Sequence, residues 1–218
     1  MWSARFSRQV MVLMIFMFGM VLAAQEARCG EAPGRNPANV GSARVLVAYY
    51  SLTGNTEKLA QAVAQGARQA SGVTVTLKRV DEVTQEDLQQ ADGIILGSAT
   101  YYANIPGTMK AVIDTWSWKM KVDFTDKVGG AFATGGGQTG GKEHVVISLL
   151  LFMLSNRMVV AGPLYQDAEG EDVWGEPGSS AITGPLDPGI GSAELDAARR
   201  LGNRVATLAK KLRPAGAP

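Results

Sequence analysis

Apolar and polar positions along the chain form a pattern that predicts strands alternating with helices. Four short runs, 45–50, 93–97, 128–134 and 158–164, consist mostly of apolar or small residues. Such runs are typical of parallel strands that are covered on both faces. A fifth run, 73–80, alternates polar and apolar residues, which indicates a strand nearer the edge of a sheet.

Helices are predicted between these strands. Leu59, Val63 and Ala67 recur at helical spacing, and their helix is expected to end near Gly72. Pro106 is expected within the first turn of another helix. The remaining helices are predicted over 85–90, 105–118 and 145–154, with a last one marked by Leu201, Val205, Leu208 and Leu212 that ends at Pro214.

Five strands that alternate with helices predict an α/β fold, a three-layer doubly wound five-stranded parallel sheet. Ligands of such sheets bind beyond the carboxyl ends of the strands. We therefore expect the chemistry of this protein in the loops that follow residues 50, 97 and 134.

The first 24 residues have the pattern of an export signal. Arg5 and Arg8 precede an uncharged, mostly apolar stretch over 10–24, and small residues stand before Gln25, where a signal peptidase would cut. This order is typical of a secretory signal peptide, and the apolar stretch is short for a membrane span. A retained membrane anchor is the alternative. Either one would place the protein in the periplasm or on the outer face of the membrane.

A polar segment separates this signal from the folded part of the chain. Residues 25–42 are rich in proline and glycine, including Pro33 and Pro37, and are predicted to form a flexible tether. The folded domain is then expected over 43–213.

The composition restricts the function. Lys and Arg total 21 and Asp and Glu total 20, a net charge of +1, in a chain that is 46% hydrophobic and 19% charged. This balance argues against wholesale disorder and against nucleic acid as a partner, since phosphates select strongly basic proteins. Cys29 and His144 are the only residues of their types, so neither a metal site nor a Cys–His nucleophile is expected.

Hydrogen-bond donors crowd the loop after the first strand. Hydroxyl and amide residues with one glycine lead directly into a helix there: Ser51, Leu52, Thr53, Gly54, Asn55 and Thr56. A helix N-terminus offers unpaired N–H groups and the positive end of the helix dipole, which together bind anions. We interpret this loop as a site for a terminal phosphate. The alternative is an ordinary helix cap made by Thr53 or Asn55.

The loop after the third strand carries aromatic side chains. Two adjacent tyrosines, Tyr101 and Tyr102, follow Thr100 and precede Asn104. A flat heteroaromatic ligand would stack on a tyrosine ring while Thr100 and backbone groups bind its edge. In the alternative interpretation the tyrosines only cover the helix that follows.

Glycine dominates the loop after the fourth strand. Its candidate ligand-binding residues are Thr134, Gly135, Gly136, Gly137, Gln138 and Thr139. Glycine lets the backbone approach a ligand closely and donate its N–H groups. Residues 136–142 have the spacing of a triphosphate-binding loop, but Glu143 stands where that loop needs Ser or Thr to hold magnesium, which argues against a nucleotide triphosphatase. His144 is expected to be a helix-start residue.

These segments together resemble the flavodoxin-like superfamily over nearly all of 44–213. The nearest branches are the flavodoxins and the FMN-dependent NAD(P)H:quinone oxidoreductases described as tryptophan-repressor-binding proteins. Residues 49–56 are similar to the family's FMN-phosphate loop, 97–110 to the segment that wraps the isoalloxazine ring, and 134–139 to the third FMN loop. The resemblance implies a sheet of strand order 2-1-3-4-5.

The resemblance also implies a cofactor and a reaction. Residues 51–56 would hold the phosphate of FMN, Thr100, Tyr101, Tyr102 and Asn104 would contact the flavin, and 134–139 would line its polar edge. The chain would then be an enzyme that passes electrons from NAD(P)H through FMN to a quinone-like acceptor. The alternatives are an exported flavodoxin-type one-electron carrier that docks redox proteins, and an FMN-binding module without turnover.

The chain departs from the quinone-reductase branch in two places and matches it ambiguously in a third. Asn156 stands where that branch often has a histidine near the flavin, which bears on substrate handling and on contacts between subunits. The branch's tryptophan after the third-strand helix corresponds to Trp116 or Trp118. The loop between the second and third strands is much shorter here.

Two segments bear on partners and access. The helix over 145–154 has more apolar residues than one buried face needs, which indicates a homo-oligomer interface or else a helix buried within the chain. The segment 167–188 is rich in Gly, Pro and acidic residues and is predicted to form a long loop near the site. A retained N-terminal anchor would bring the protein close to a membrane.

Overall fold

The computed structural model of the protein describes residues 42–163, 177–184 and 189–213. The strands in this part of the chain are β1 (Ala43–Tyr50), β2 (Val73–Arg79), β3 (Gly93–Ala99), β4 (Val128–Gly135), β5 (Val159–Val160) and β6 (Ser179–Ile182). The helices are α1 (Asn55–Arg68), α2 (Gln85–Gln90), α3 (Gly107–Trp118), α4 (Lys142–Ser155) and α5 (Ser192–Leu212), and a 3₁₀ turn covers Val80–Glu82.

All strands join one parallel sheet. Its order is β2-β1-β3-β4-β5, and β6 also pairs with β4. This confirms the doubly wound α/β fold and the strand order 2-1-3-4-5. β5 pairs with Val128 and Gly129 at the start of β4, whereas β6 pairs with β4 from Phe132 to Gly135. Two short segments therefore share the fifth position of the sheet.

This divided fifth strand differs from the prediction in two ways. Regular pairing over 158–164 is limited to Val159–Val160, and Leu164 lies outside the described residues. The prediction of a loop over 167–188 is wrong at Ser179–Ile182, which is strand. Small residues dominate that segment, so its sequence has no hydrophobic alternation that would indicate a strand. Residues 167–176 and 185–188 lie outside the described part of the chain.

The predicted helices form, with shifted ends. α1 ends at Arg68 rather than near Gly72. Pro106 precedes α3 as its N-cap residue, so its placement within the first helical turn is wrong by one position. α4 begins at Lys142, and His144 lies in its first turn, in agreement with the expectation of a helix-start residue.

Two apolar cores lie on opposite faces of the sheet. Alternate residues of β1 point to opposite sides, so Leu46 belongs to one core and Val47 to the other. The first core contains residues of α2, α3 and α4, with the fully buried Trp116 among them. The second core joins α1 and α5; of the predicted stripe on α5, Leu201 and Val205 are buried there, Leu208 is partly buried and Leu212 is exposed.

Helices α1 and α5 pack unusually closely. A Cβ atom on Gly202 would lie 1.9 Å from the carbonyl oxygen of Val63, and one on Gly66 would lie 1.9 Å from the carbonyl oxygen of Arg199. The two glycines therefore let the helix backbones touch. This contact fixes the position of α1, whose start carries one edge of the candidate site.

The N-terminal predictions fall on a part of the chain that the structure does not describe. The signal peptide or anchor over 1–24 and nearly all of the tether over 25–42 lie outside the described residues. Among the residues that are described, no helix combines the length and apolar character that a membrane span needs.

Candidate functional site

Three loops meet at the carboxyl edge of the sheet, as the fold predicts. The hydroxyl oxygens of Thr56, after β1, and Thr134, in β4, are 2.7 Å apart and buried. The backbone N–H of Thr100, after β3, donates to the carbonyl oxygen of Thr134 at 2.8 Å. The rings of Tyr50 and Tyr101 meet edge to face with centroids 6.1 Å apart. The structure thus brings residues of all three candidate loops together.

The N-terminus of α1 is not closed by a side chain. Its N-cap residue is Gly54, with a φ of 91°, and no side chain makes a capping hydrogen bond. The alternative of an ordinary cap formed by Thr53 or Asn55 is therefore wrong. A positive φ suits glycine because a side chain there would be strained. The first-turn N–H groups of α1 thus keep the anion-binding character of an uncapped helix end.

Internal hydrogen bonds shape the turn before α1. The backbone N–H of Gly54 donates to the hydroxyl oxygen of Ser51 at 3.1 Å. This bond joins the end of the turn to its first residue. Ser51, Asn55 and Thr56 are buried, whereas Leu52 and Thr53 are exposed. The predicted phosphate loop therefore has an inner polar side and an outer side that faces solvent.

Two buried polar atoms face this region without a hydrogen-bond partner in the described structure. They are the Oδ1 atom of Asn55 and the Oγ1 atom of Thr100. A buried polar atom without a partner costs about 1–3 kcal/mol, so such atoms normally pair with protein groups, ordered water or a ligand. Both belong to loops that the sequence predicts to bind a ligand.

The second loop is a strained two-residue hairpin. Tyr101 and Asn104 exchange both backbone hydrogen bonds, at 3.0 and 2.9 Å. The turn residues between them, Tyr102 and Ala103, have φ values of 51° and 60°. Such tight turns favour Asn and Gly, and other residues with positive φ cost on the order of 1–3 kcal/mol each. The side chain of Asn104 accepts a hydrogen bond from the N–H of Ile105 at 2.8 Å.

The two tyrosines of this hairpin have different surroundings. Tyr101 is half-buried against Tyr50, and burial raises the pKa of its phenol, with a further increase from its hydrogen bond to Tyr50. Tyr102 is fully exposed at the tip of the turn. Tyr102 therefore does not cover the helix that follows, and its ring is open to a partner from outside the chain.

The third loop packs against the hairpin. Gly141 has a φ of 92°, and a Cβ atom there would lie 2.5 Å from the Cα atom of Ala103. Gly136 and Gly137 have open space where a Cβ atom would be. Gln138 and Thr139 are exposed, while Thr134 and Gly135 are buried. The start of the loop is therefore held within the fold, whereas its middle is open to solvent.

A buried lysine begins α4 at the end of this loop. Lys142 is only 6% exposed, and its ammonium group pairs with the carboxylate of Glu143. Burial alone would raise the pKa of Glu143, but the hydrogen bond from Lys142 outweighs it and lowers that pKa. A Cβ atom on Gly135 would lie 3.3 Å from the Cβ atom of Lys142, which places the lysine stem beside the site. The sequence singles out Lys142 only through the spacing of a triphosphate-binding loop.

Arg79 is a second residue that sequence reasoning missed. It ends β2, and its Nη1 atom donates to the carbonyl oxygen of Ser51 at 3.0 Å. The sequence predicts the strand but not its register, and the register places Arg79 opposite Tyr49 next to the first loop. The predicted phosphate loop therefore has a cationic neighbour although none lies within it.

The residues that depart from the quinone-reductase pattern lie elsewhere. Asn156 is the C-cap residue of α4, where its side-chain nitrogen donates to the carbonyl oxygen of Phe152 at 2.8 Å and its side-chain oxygen accepts from Ser117 at 3.0 Å. Its side chain therefore joins α4 to α3. Trp116 is buried in the core, while Trp118 is 82% exposed.

A parallel sheet of order 2-1-3-4-5 with a donor-rich turn after its first strand defines a flavodoxin-like protein. Comparison with known proteins agrees. Residues 82–171 match the family model described as NADPH-dependent FMN reductase. An NAD(P)H dehydrogenase (quinone) from Sinorhizobium fredii is 38% identical over 201 residues, which cover 78% of this chain and 98% of the relative.

Two further relatives extend this comparison. A flavodoxin from Aquifex aeolicus is 36% identical over 169 residues, 75% of this chain and 85% of the relative. The crystal structure of a WrbA-like flavodoxin from Agrobacterium tumefaciens superposes with a TM-score of 0.63 at 25% identity, covering 79% of this chain and all of that chain. The chain belongs to the flavodoxin-like superfamily, in the family that contains these NAD(P)H dehydrogenases (quinone) and flavodoxins.

Proposed function

We propose that the chain is an FMN-binding oxidoreductase that passes electrons from NAD(P)H to a quinone-like acceptor. The observation that carries this proposal is the N-terminus of α1, which has no side-chain cap and lies beside the buried Ser51, Asn55 and Thr56. The names of the relatives, NAD(P)H dehydrogenase (quinone) and NADPH-dependent FMN reductase, support the cofactor and the reaction.

The residues at the site fit FMN. The unpartnered Oδ1 of Asn55, at the start of α1, and Oγ1 of Thr100 belong to segments that follow the neighbouring strands β1 and β3. A ligand with a phosphate at one end and a ring at the other would contact both segments. Gly54, Gly136 and Gly137 leave open space where a side chain would stand. A dianionic phosphate suits the N–H groups and hydroxyls of 51–56, because such donors bind anions without a cation in the loop itself.

Each loop then has a distinct task. The turn 51–56 holds the phosphate, Thr100, Tyr101, Tyr102 and Asn104 border the ring, and 134–139 present backbone N–H groups to its polar edge. FMN, when bound, accepts a hydride and returns the electrons to the second substrate, so the protein need only orient the ring and adjust its potential. The buried Lys142, whose stem lies beside Gly135, pairs its ammonium group with Glu143 at the end of this loop.

A turnover assay tests the proposed function. The full chain, purified with added FMN, is mixed with NADH or NADPH and a water-soluble quinone, and nicotinamide oxidation is followed by absorbance. Quinone-dependent oxidation is expected with at least one of the two donors. If the FMN-loaded protein oxidises neither NADH nor NADPH, the proposed enzyme activity is contradicted. The remaining functions are then the one-electron carrier and the FMN-binding module without turnover.

A flavodoxin-type one-electron carrier is the second candidate. The flavodoxin from Aquifex aeolicus at 36% identity favours it, because the same chain resembles carriers nearly as well as it resembles dehydrogenases. A redox titration separates the two functions. A stable one-electron reduced flavin supports the carrier, and a direct two-electron reduction supports the enzyme.

Export of the protein is part of this proposal. Residues 1–24 carry a basic start, an apolar middle and a small-residue end, which support a signal peptide or an anchor. Mass spectrometry of the protein from fractionated Gram-negative cells tests it. A chain that begins near Gln25 in the periplasm supports cleavage, and a complete chain in the membrane fraction supports an anchor that brings the site close to membrane quinones. A complete chain in the cytosol would contradict export.

Self-association through α4 is also proposed. Ile147, Leu151 and Leu154 recur along one face of α4 and are 45%, 56% and 52% exposed. A row of exposed apolar side chains on one helix face is typical of an interface. Light scattering is expected to give an oligomer that Leu151→Glu dissociates and that Leu212→Glu, on another exposed leucine, leaves intact. A monomeric wild-type protein would contradict this.

A further inference from the structure

Arg79 reaches the phosphate loop from the neighbouring strand. The pairing of β1 with β2 places Arg79 opposite Tyr49, two residues before Ser51. Its Nη1 atom donates to the carbonyl oxygen of Ser51 at 3.0 Å. The hydroxyl of the same serine accepts from the N–H of Gly54 at 3.1 Å. Ser51 is therefore fixed by Arg79 at its carbonyl group and by the turn itself at its side chain.

Acidic side chains lie near Arg79, but its ion pair with Asp81 stabilises little. Its Nε atom lies 3.5 Å from Asp81, but both side chains are exposed, at 37% and 59%, and such surface pairs stabilise little. Glu57 and Glu82 are the other acids near this end of β1. Burial raises the pKa of Tyr49, Glu57 raises it further, and the charge of Arg79 lowers it, so Arg79 and Glu57, which lies in the first turn of α1, both act on this phenol.

A cation beside a helix N-terminus is unfavourable unless acidic side chains or a bound anion offset it. The helix dipole already makes that end positive, and basic residues are normally found at the opposite end. Here the end also has no side-chain cap. The arrangement becomes favourable when a phosphate dianion binds the first-turn N–H groups, because Arg79 then adds attraction and keeps the turn rigid.

We infer that Arg79 is a positioning residue for the phosphate of FMN. It holds the carbonyl group of Ser51 and thereby keeps the N–H groups of Asn55 and Thr56, just after the turn, directed at the phosphate. This inference rests on the proposed FMN site. Its consequence is selectivity: Arg79 favours the phosphorylated flavin over riboflavin, and it has little effect on the binding of the ring.

The test compares two flavins on the same variants. FMN and riboflavin are titrated separately into the full chain of the wild type, Arg79→Met and Arg79→Lys, with flavin fluorescence as the readout. Arg79→Met is expected to weaken FMN about tenfold and to leave riboflavin within about twofold. Arg79→Lys is expected to recover part of the loss, because it keeps the charge without the planar guanidinium. Arg44→Met, an exposed arginine in β1 at the other end of the sheet, is the matched control with both affinities unchanged.

Three results would overturn the inference. The first is an unchanged FMN affinity in Arg79→Met, and the second is an equal loss of affinity for FMN and riboflavin. The third is an FMN affinity in Arg79→Lys equal to that of the wild type, which would show that only the charge of Arg79 matters. Thermal unfolding of the cofactor-free variants shows whether each is folded, and Arg79→Lys serves as the test if Arg79→Met is not. A wild-type protein that binds neither flavin contradicts the proposed function itself, which distinguishes the two failures.

Discussion

The hydroxyl oxygens of Thr56 and Thr134 lie 2.7 Å apart although 78 positions separate the residues in the sequence. Thr56 is 1% exposed and Thr134 is 4% exposed, so water does not replace either partner. One threonine follows β1 and the other is in β4, two strands away across the sheet. The contact therefore fixes the distance between the predicted phosphate loop and the predicted glycine-rich loop.

Removal of one hydroxyl of this pair is expected to weaken FMN binding. Thr134→Val leaves the Thr56 hydroxyl buried and unpaired, which costs about 1–3 kcal/mol and loosens the start of α1. We expect the FMN dissociation constant, measured by fluorescence titration, to rise about tenfold. Thr74→Val is the matched control, because its hydroxyl pairs with Ser42 at 2.9 Å on the exposed opposite edge. Equal effects in both variants would argue against a special role for the buried pair.

Gly141→Ala is expected to disturb the strained hairpin. The added Cβ atom would lie 2.5 Å from the Cα atom of Ala103, and the φ of 92° is itself unfavourable for alanine. We expect a loss of about 1–3 kcal/mol in the free energy of unfolding, measured with denaturant. Gly107→Ala meets no atom within 4 Å at the start of α3 and should be neutral or slightly stabilising. A Gly141→Ala protein as stable as the wild type would contradict the close packing of the two loops.

Lys142 is expected to raise the reduction potential of bound flavin. Its buried charge favours the reduced, more negative ring, and Lys142→Met should lower the two-electron potential by about 20–40 mV, which corresponds to roughly 1–2 kcal/mol. Glu143→Gln removes the paired carboxylate and should shift the potential in the opposite direction. Potentiometric titration with a reference dye measures both. Shifts of the same sign in the two variants would show that Lys142 does not act through its charge.

Asp87 links stability to pH at the start of α2. Burial alone would raise the pKa of Asp87, but hydrogen bonds from Lys78 and Thr84 outweigh it and lower that pKa. A lowered pKa in the folded state means that the stabilisation is complete above the pKa of the unfolded chain and is lost as the pH falls through the folded value. The exposed Lys110–Asp114 pair offers a comparison, since such i,i+4 pairs contribute only about 0.3–0.5 kcal/mol.

Denaturant unfolding of Asp87→Asn tests this link. At pH 7 we expect a loss of about 1–2 kcal/mol, because the variant loses the ion pair with Lys78 and part of the helix cap. The difference from the wild type should shrink below about pH 4, where the aspartate is protonated in the unfolded chain. Asp114→Asn should differ little from the wild type at either pH. A loss in Asp87→Asn that does not change with pH would exclude the carboxylate as its source.

The sequence indicates the sheet and the three loops because both depend on local patterns. Apolar runs mark β1 and β3, and adjacent hydroxyl, amide and glycine residues mark the turn 51–56. The position of the three loops in the fold then follows from a general rule, because parallel strands bring their carboxyl ends to one edge of the sheet. The predicted site residues in all three loops lie at that edge, where Thr134 bonds to both Thr56 and Thr100.

Features that depend on register or on non-local packing could not be found in this way. The bond from Arg79 to Ser51 requires the alignment of β2 with β1, which the polar alternation of β2 does not specify. The divided fifth strand is missed because Val159–Val160 is too short for periodicity and Ser179–Ile182 is mostly small and polar. The positive φ values of Tyr102 and Ala103 occur at residue types that tight turns do not favour, so the sequence does not indicate this turn.

The most direct test of the central claim compares FMN with riboflavin on the unmodified full chain. If the N-terminus of α1 binds the terminal phosphate, equilibrium fluorescence titration should show one FMN per chain, bound at least about a hundredfold more tightly than riboflavin, since several charge-assisted hydrogen bonds are lost without the phosphate. Equal affinity for the two flavins would show that the turn 51–56 does not hold a phosphate, and no binding of either would contradict the flavoprotein assignment.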